Sequence, residues 1–126
     1  MPLVRISLMK QEKKEFGRKV GECVHQEMVH TINVPEKDYF QVITEHDNHS
    51  LIYDSSYLGI HRNDGIIFIQ ITLNEGRNTD LKKLLYKNIV DRLHHELDVS
   101  RENVLINLVE VKKENWSFGN GIAQYA

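Results

Sequence analysis

Three residues that lie far apart in the sequence have groups suited to acid–base chemistry on a small anion. Pro2 would offer a secondary amine once Met1 is removed, and proline at the second position favours that removal. Such an amine is a base when neutral and a rigid cationic donor when protonated. Asp38 would supply a carboxylate, and Arg77 a guanidinium whose parallel N–H donors match a planar carboxylate. These residue types are compatible with proton transfer beside a bound carboxylate.

The protonation state of the Pro2 amine decides which reaction follows, and the sequence leaves it open. An α-amino group ordinarily titrates at about pH 8. Burial or the nearby Arg77 would lower this pKa and give a neutral base, whereas Asp38 would raise the pKa and favour the cation.

The elements that must position these residues are read from hydrophobic periodicity. Alternation over residues 3–8, strand character over 39–45 and β-branched runs over 66–73 and 104–111 predict four strands. Two apolar stripes with a four-residue spacing predict two helices, one over about 11–29 and one that begins near an N-cap in 78–80. The stripe residues are Phe16, Val20, Val24 and Met28 in the first helix, and Leu81, Leu85, Ile89 and Leu93 in the second.

The two halves of the chain match in one constant register. Val4 falls on Ile69, and at the same offset all four residues of the first stripe fall on the four of the second. This self-similarity indicates a duplicated βαβ unit, with repeats at approximately 2–46 and 67–111. Each unit is a parallel strand pair with a right-handed helical crossover.

Two such units predict an α+β fold in one domain over residues 1–126. Their first strands pair antiparallel, which gives a four-stranded mixed sheet with both helices on one face and the other face uncovered. In that arrangement Pro2, Asp38 and Arg77 converge at one end of the sheet. The uncovered apolar face predicts association of subunits through their sheets.

Composition limits the remaining classes of function. The 126 residues carry a net charge of −2, which offers no basic stripe to nucleic acid. No apolar run is long enough to span a bilayer, and the N-terminal residues lack the features of a signal peptide. The single Cys23 cannot form an internal disulfide, and the seven histidines make no complete metal-ligand set. We expect a cytoplasmic protein that needs no metal or cofactor and binds neither nucleic acid nor membrane.

Several segments resemble the tautomerase superfamily, and within it the malonate semialdehyde decarboxylase branch. They are the Met-Pro start, the βαβ duplication, residues 34–46, Leu58-Gly59 with Arg62, and the tail from Trp116 to Gly121. The resemblance implies a homotrimer of tautomerase/MIF-like fold without a cofactor, in which neighbouring subunits contribute to each site. It implies Pro2, Asp38 and Arg77 as catalytic residues, and Arg62, Trp116 and Phe118 as contacts to a small oxo acid.

Two reactions and one non-catalytic function are compatible with that resemblance. With neutral Pro2 the protein would be a tautomerase, an isomerase that moves a proton between carbon and oxygen of a 2-oxo acid. With protonated Pro2 the protein would be a lyase or hydratase that acts on a 3-oxo acid such as malonate semialdehyde. The decarboxylase pattern has two arginines one residue apart, and Glu75 replaces the first of them. This change favours the tautomerase reaction, and a binding protein that keeps only the fold is the third alternative.

Each candidate residue also has a purely structural explanation. Asp38 could serve as a turn or cap residue, Arg77 as a solvated side chain before a helix, and Arg62 as an ion-pair partner within its loop. Trp116 and Phe118 could be ordinary core or interface aromatics.

Overall fold

Four strands and two α-helices form two consecutive βαβ units along the described part of the chain. The computed structural model describes residues 2–126, so the expected removal of Met1 concerns a residue outside the described part. In chain order the elements are β1 (Leu3–Met9), α1 (Phe16–Ile32), β2 (Gln41–His46), β3 (Ile67–Asn74), α2 (Thr79–Leu97) and β4 (Val104–Val111).

The four strands form one mixed sheet in the order β2-β1-β3-β4. β1 pairs parallel with β2, β3 pairs parallel with β4, and the two central strands β1 and β3 are antiparallel. Both helices end alike, because Asn33 and Asp98, which occupy equivalent positions in the two units, are left-handed C-caps. The predicted fold class, with its two βαβ units joined through antiparallel first strands, is confirmed.

The first helix begins later than its predicted start near residue 11. Glu15 has a left-handed backbone with φ of 57°, and α1 starts at Phe16 and continues to Ile32. The charged residues before Phe16 bring no apolar side chain to the sheet, so no packing stabilises a further helical turn there. In contrast, Asn78 caps α2 as expected, since its Oδ1 accepts a hydrogen bond of 2.8 Å from Leu81 N–H.

One apolar layer lies between the helices and the sheet. Seven of the eight predicted stripe residues are buried, and the eighth, Leu81, packs against them. From the sheet they meet Val4, Ile6, Leu8, Ile67, Ile69, Ile71 and Leu73. α1 approaches β2 closely at Gly17, where an added Cβ would lie 2.8 Å from Cγ2 of Ile43. The helical stripes therefore fix both helices on one face of the sheet.

The opposite face of the sheet, which we call the outer face, was predicted to be uncovered, but the structure covers part of it. Leu51 is buried there with Met9 and Ile66, and Tyr53 and Phe68 pack against them. The loop between β2 and β3 thus covers one part of the outer face. Elsewhere this face carries exposed apolar side chains on both edge strands, namely Val42, Leu105 and Val109. No helix in the described part of the chain has the length and apolar character needed to cross a membrane.

Candidate active site

Pro2 lies at the end of the sheet where β1 and β2 begin and β3 and β4 end, which we call the Pro2 end. Leu3 pairs with Thr72 and Val4 with Gln41, so continuing both registers brings Pro2 between Leu73 and Tyr39. Pro2 is buried in this position. The backbone N–H of Val4 donates to the carbonyl of Phe40 at 3.1 Å, which ties the chain after α1 to the start of β1.

Asp38 reaches the Pro2 end on a turn of residues 35–39. Its N–H donates to the carbonyl of Pro35 at 3.0 Å, and the N–H of Tyr39 donates to the carbonyl of Lys37 at 2.9 Å. The residue is half-buried, one position along the chain from the register partner of Pro2. The turn therefore places Asp38 at the same end of the sheet as Pro2.

Arg77 joins the same end of the sheet from the connection between β3 and α2. The chain turns at Gly76, whose φ of 125° is a conformation that glycine adopts without the strain of a side chain. Nη1 of Arg77 then donates to the carbonyl of Asn74 at 3.1 Å. The N-terminus of α2 follows directly, so its positive dipole end lies beside the guanidinium. This connection can attract an anion.

Trp116 lies beside Arg77 because both side chains bond Asn74, and Phe118 stacks on Trp116. The indole Nε1–H of Trp116 donates to Oδ1 of Asn74 at 2.8 Å, while the carbonyl of that same residue accepts from Arg77. The rings of Trp116 and Phe118 stack at 5.6 Å between centroids, and both are half-buried. Together they provide an apolar surface next to the cation.

Asn74 and the C-terminal residues are site components that the sequence analysis missed. Tyr125 packs edge-on against Phe118 at 4.9 Å between ring centroids. Gln124 accepts from the backbone N–H of Phe118 at 3.0 Å and donates to the carbonyl of Gly119 at 3.1 Å. The available signal for Asn74 was a polar residue that ends the most apolar strand, directly before the Glu-Gly-Arg segment.

Arg62 does not meet the other candidates within one chain. Its loop leads into the start of β3, at the opposite end of the sheet, which we call the far end. Nη1 donates to three backbone carbonyls of that loop, those of Asp54, Tyr57 and Ile60, at 3.0 to 3.3 Å. These bonds hold the loop together through its backbone carbonyls.

Glu75 stands at the Pro2 end, where its side chain is exposed. Its backbone N–H donates to the carbonyl of Val111 at 2.9 Å, which extends the pairing of β3 with β4. The carboxylate therefore adds negative charge near Arg77 and reduces the attraction for an anion.

Cys23 is unsuited to act as a nucleophile. Burial, with a hydrogen bond to Glu96 at 3.1 Å, raises the pKa of Cys23 from 9.0 to about 12, so the thiol is protonated and a poor nucleophile. Among the described residues, no three His, Cys, Asp or Glu side chains are grouped so that they could hold a metal ion. The Pro2 end thus gathers a buried proline, a carboxylate, a guanidinium and an aromatic surface.

Comparisons with known proteins agree with this architecture. Two family models, each described as tautomerase enzyme, match residues 38–119 and residues 2–58. The probable tautomerase YusQ of Bacillus subtilis (strain 168) is 44% identical over 124 residues, 98% of this chain and 98% of YusQ. The probable tautomerase YrdN of the same organism is 27% identical and is matched over 99% of this chain and 96% of YrdN.

Solved structures match over nearly the whole chain. FG41 malonate semialdehyde decarboxylase inhibited by 3-bromopropiolate has a TM-score of 0.90 and 31% identity, over 98% of this chain and 93% of that one. A fused 4-OT symmetric trimer, with a TM-score of 0.77 over 98% and 97% of the two chains, is 17% identical and shows the fold alone. The duplicated βαβ units and mixed sheet therefore define a protein of tautomerase/MIF-like fold. The chain belongs to the tautomerase family.

Proposed function

We propose that the protein is a tautomerase that uses Pro2, freed by removal of Met1, as a base in the keto–enol tautomerisation of a 2-oxo acid. The observation that carries the proposal is the buried position of Pro2 between the turn that holds Asp38 and the end of β3 that leads to Arg77. The family models support it, since one of them begins its match at residue 2.

Arg77 would bind the substrate carboxylate through two N–H donors, with support from the N-terminal dipole of α2. The neutral Pro2 nitrogen would take a proton from C3 of the keto acid while the electron pair moves through C2 to the carbonyl oxygen. The protonated amine would then give this proton to that oxygen, which yields the enol and restores neutral Pro2. The reverse direction returns the proton from Pro2 to C3. Asp38 would stabilise the protonated amine, and Trp116 with Phe118 would exclude water from the bound acid.

A homotrimer would complete the site. Within one chain Trp116 and Phe118 remain half-buried, so the site is open on one side. The exposed Val42, Leu105 and Val109 on the edge strands are apolar surface that a neighbouring subunit would cover. Arg62 would contact a substrate only in the site of a neighbouring subunit, because Pro2 of the same chain lies at the other end of the sheet.

A second candidate is the decarboxylation or hydration of a 3-oxo acid such as malonate semialdehyde. It is favoured by one observation, the 31% identity with a malonate semialdehyde decarboxylase of the same fold. Here protonated Pro2 would polarise the carbonyl. Glu75 weighs against it, because the decarboxylase pattern has an arginine at this position and a carboxylate there would repel the substrate anion.

The test is an ultraviolet assay of enol–keto conversion on an aromatic 2-oxo acid, with the N-terminus verified as Pro2 by mass spectrometry. Pro2→Ala keeps a free amine but changes its basicity and rigidity, and we expect its kcat to fall about 100-fold, within the usual contribution of an acid–base group. For Arg77→Ala we expect a rise in KM of about tenfold or more, as for the loss of a charge-assisted contact.

One control and three possible outcomes separate the candidate functions. Protein that retains Met1 has an amide at Pro2 and should be inactive. Equal rates in the parent, Pro2→Ala and Arg77→Ala would refute the proposed site. Turnover of a 3-oxo acid without turnover of any 2-oxo acid would favour the lyase, and binding without turnover of either class would indicate the non-catalytic function.

A further inference from the structure

We propose that His25 is a positioning residue, which fixes the turn of residues 35–39 and thereby the carboxylate of Asp38 beside Pro2. The inference rests on the proposed function of Pro2 and adds a residue on α1 that no motif in the sequence marks. His25 is 2% exposed, on the side of α1 that faces the turn.

His25 contacts the turn on both sides of Asp38. One ring nitrogen, Nε2, lies 2.8 Å from the carbonyl oxygen of Glu36, and because a carbonyl only accepts, Nε2 carries the hydrogen. The imidazole also stacks face to face on the ring of Tyr39, with centroids 4.0 Å apart and planes at 17°. The residue two before Asp38 and the residue directly after it are therefore both held by one side chain.

A second anchor holds the other end of this segment. The carbonyl of Phe40 accepts from the N–H of Val4, so the segment is tied to β1 two residues after Asp38. Between the anchors at Glu36 and Phe40, the backbone at Asp38 has little freedom to rotate. Loss of His25 would remove both side-chain contacts to the turn, at Glu36 and at Tyr39.

His25 occupies its position at a cost that the fold alone does not require. Its Nδ1 is buried and has no hydrogen-bond partner among the described residues. A buried acceptor without a partner is destabilising and calls for an explanation. At the equivalent position of the second βαβ unit stands Val90, and Asn103 takes the place of Asp38. The unit without the carboxylate thus folds without the histidine.

The experiment compares variants of the Met1-free protein in steady-state kinetics on the 2-oxo acid. His25→Phe keeps a flat ring against Tyr39 but loses the donor, and His25→Val installs the residue of the second unit. For both we expect kcat to fall about tenfold with KM changed less than about twofold, because Asp38 moves while Arg77 stays in place. His25→Gln, whose amide N–H can replace Nε2–H, should restore much of kcat.

The matched control is His94→Phe. His94 is also a helical histidine, on α2, whose Nδ1 lies 3.0 Å from the carbonyl of Val99, at the far end of the sheet. This substitution should leave kcat unchanged, although it removes a histidine–backbone contact of the same kind. An equal loss of kcat in His94→Phe would overturn the positioning role, since the effect would then be one of general stability.

Amide hydrogen exchange provides a readout that does not need turnover. In His25→Phe and His25→Val, peptides covering residues 34–40 should exchange faster, while those covering 99–104 should not change. Unchanged exchange in 34–40, or full kcat in both variants, would overturn the inference, as would failure of both variants to fold. If the parent protein has no activity on any oxo acid, the proposed function fails, and the exchange measurement alone decides whether His25 holds the turn.

Discussion

Asn74 should couple Trp116 to the rest of the site through one measurable hydrogen bond. The perturbation is a double-mutant cycle of Asn74→Ala, Trp116→Phe and the double variant. Asn74→Ala removes the acceptor Oδ1 and leaves the backbone carbonyl that Arg77 uses. Trp116→Phe removes the donor Nε1–H and keeps a ring that can stack on Phe118.

The size of the coupling follows from the geometry of the bond. The 2.8 Å contact joins two neutral groups, and both residues are half-buried, so water can replace part of what is lost. A net contribution of about 1 kcal/mol is typical of such a bond. Trp116→Phe alone should cost more than Asn74→Ala, because it also removes apolar ring area from the packing. The cycle cancels that difference and leaves the coupling of about 1 kcal/mol.

The assay is urea unfolding followed by far-ultraviolet circular dichroism, since Trp116 is the only tryptophan and its fluorescence is lost in two of the variants. All proteins are compared at one subunit concentration, because association makes the free energy of unfolding depend on concentration. A matched cycle of Asn74→Ala with Arg77→Ala should give no coupling, because Arg77 bonds the backbone. A coupling below about 0.3 kcal/mol between Asn74 and Trp116 would refute the reasoning.

Three further predictions concern single residues. Cys23 should resist iodoacetamide at pH 9 in the native protein and react when the protein is unfolded. Because folding raises the pKa of Cys23 from 9.0 to about 12, the native state binds more protons than the unfolded state between pH 9 and pH 12. The free energy of unfolding should therefore fall as the pH rises through this range, and it should fall more than in Cys23→Ala. Glu75→Arg should lower KM for a 3-oxo acid by about tenfold in the same kinetic assay, because attraction replaces repulsion of the anion. Arg62→Ala should lower the free energy of unfolding by about 2 kcal/mol in urea, because it frees the carbonyls of its loop, and an undiminished value would contradict the bonds described.

The fold could be predicted from the sequence because the apolar residues that define its core recur at regular spacings. Strict alternation in β1 and a four-residue spacing in both helices state directly which side chains face the core. The constant register between the two halves then supplied the topology, since two equal βαβ units have few ways to share a sheet. The start of α1 was wrong because it depends on the left-handed backbone at Glu15, which no apolar pattern marks.

The candidate site was only partly predictable, because its contacts join residues that no local pattern relates. Topology brought Pro2, Asp38 and Arg77 to one end of the sheet from strand direction alone. The bond between Asn74 and Trp116 spans 42 positions and depends on where the C-terminal tail returns. Arg62 was expected at the site, but its guanidinium holds its own loop at the far end, so in one chain it does not contribute.

The contrast between the two ends of the sheet explains why only one of them is a candidate for catalysis. At the far end the equivalents of Pro2 and Asp38 are Ile67 and Asn103, both buried. Asn103 exchanges two hydrogen bonds with Asn63, at 3.1 and 2.8 Å, so this junction is packed and satisfied. Residue 67 lies within the chain and has only an amide nitrogen, whereas Pro2 can become a terminal amine. The two ends of the duplicated fold therefore differ: Asp38, His25 and Arg77 all occur at the end where an amine is possible, whereas the far end is packed and has its polar groups satisfied.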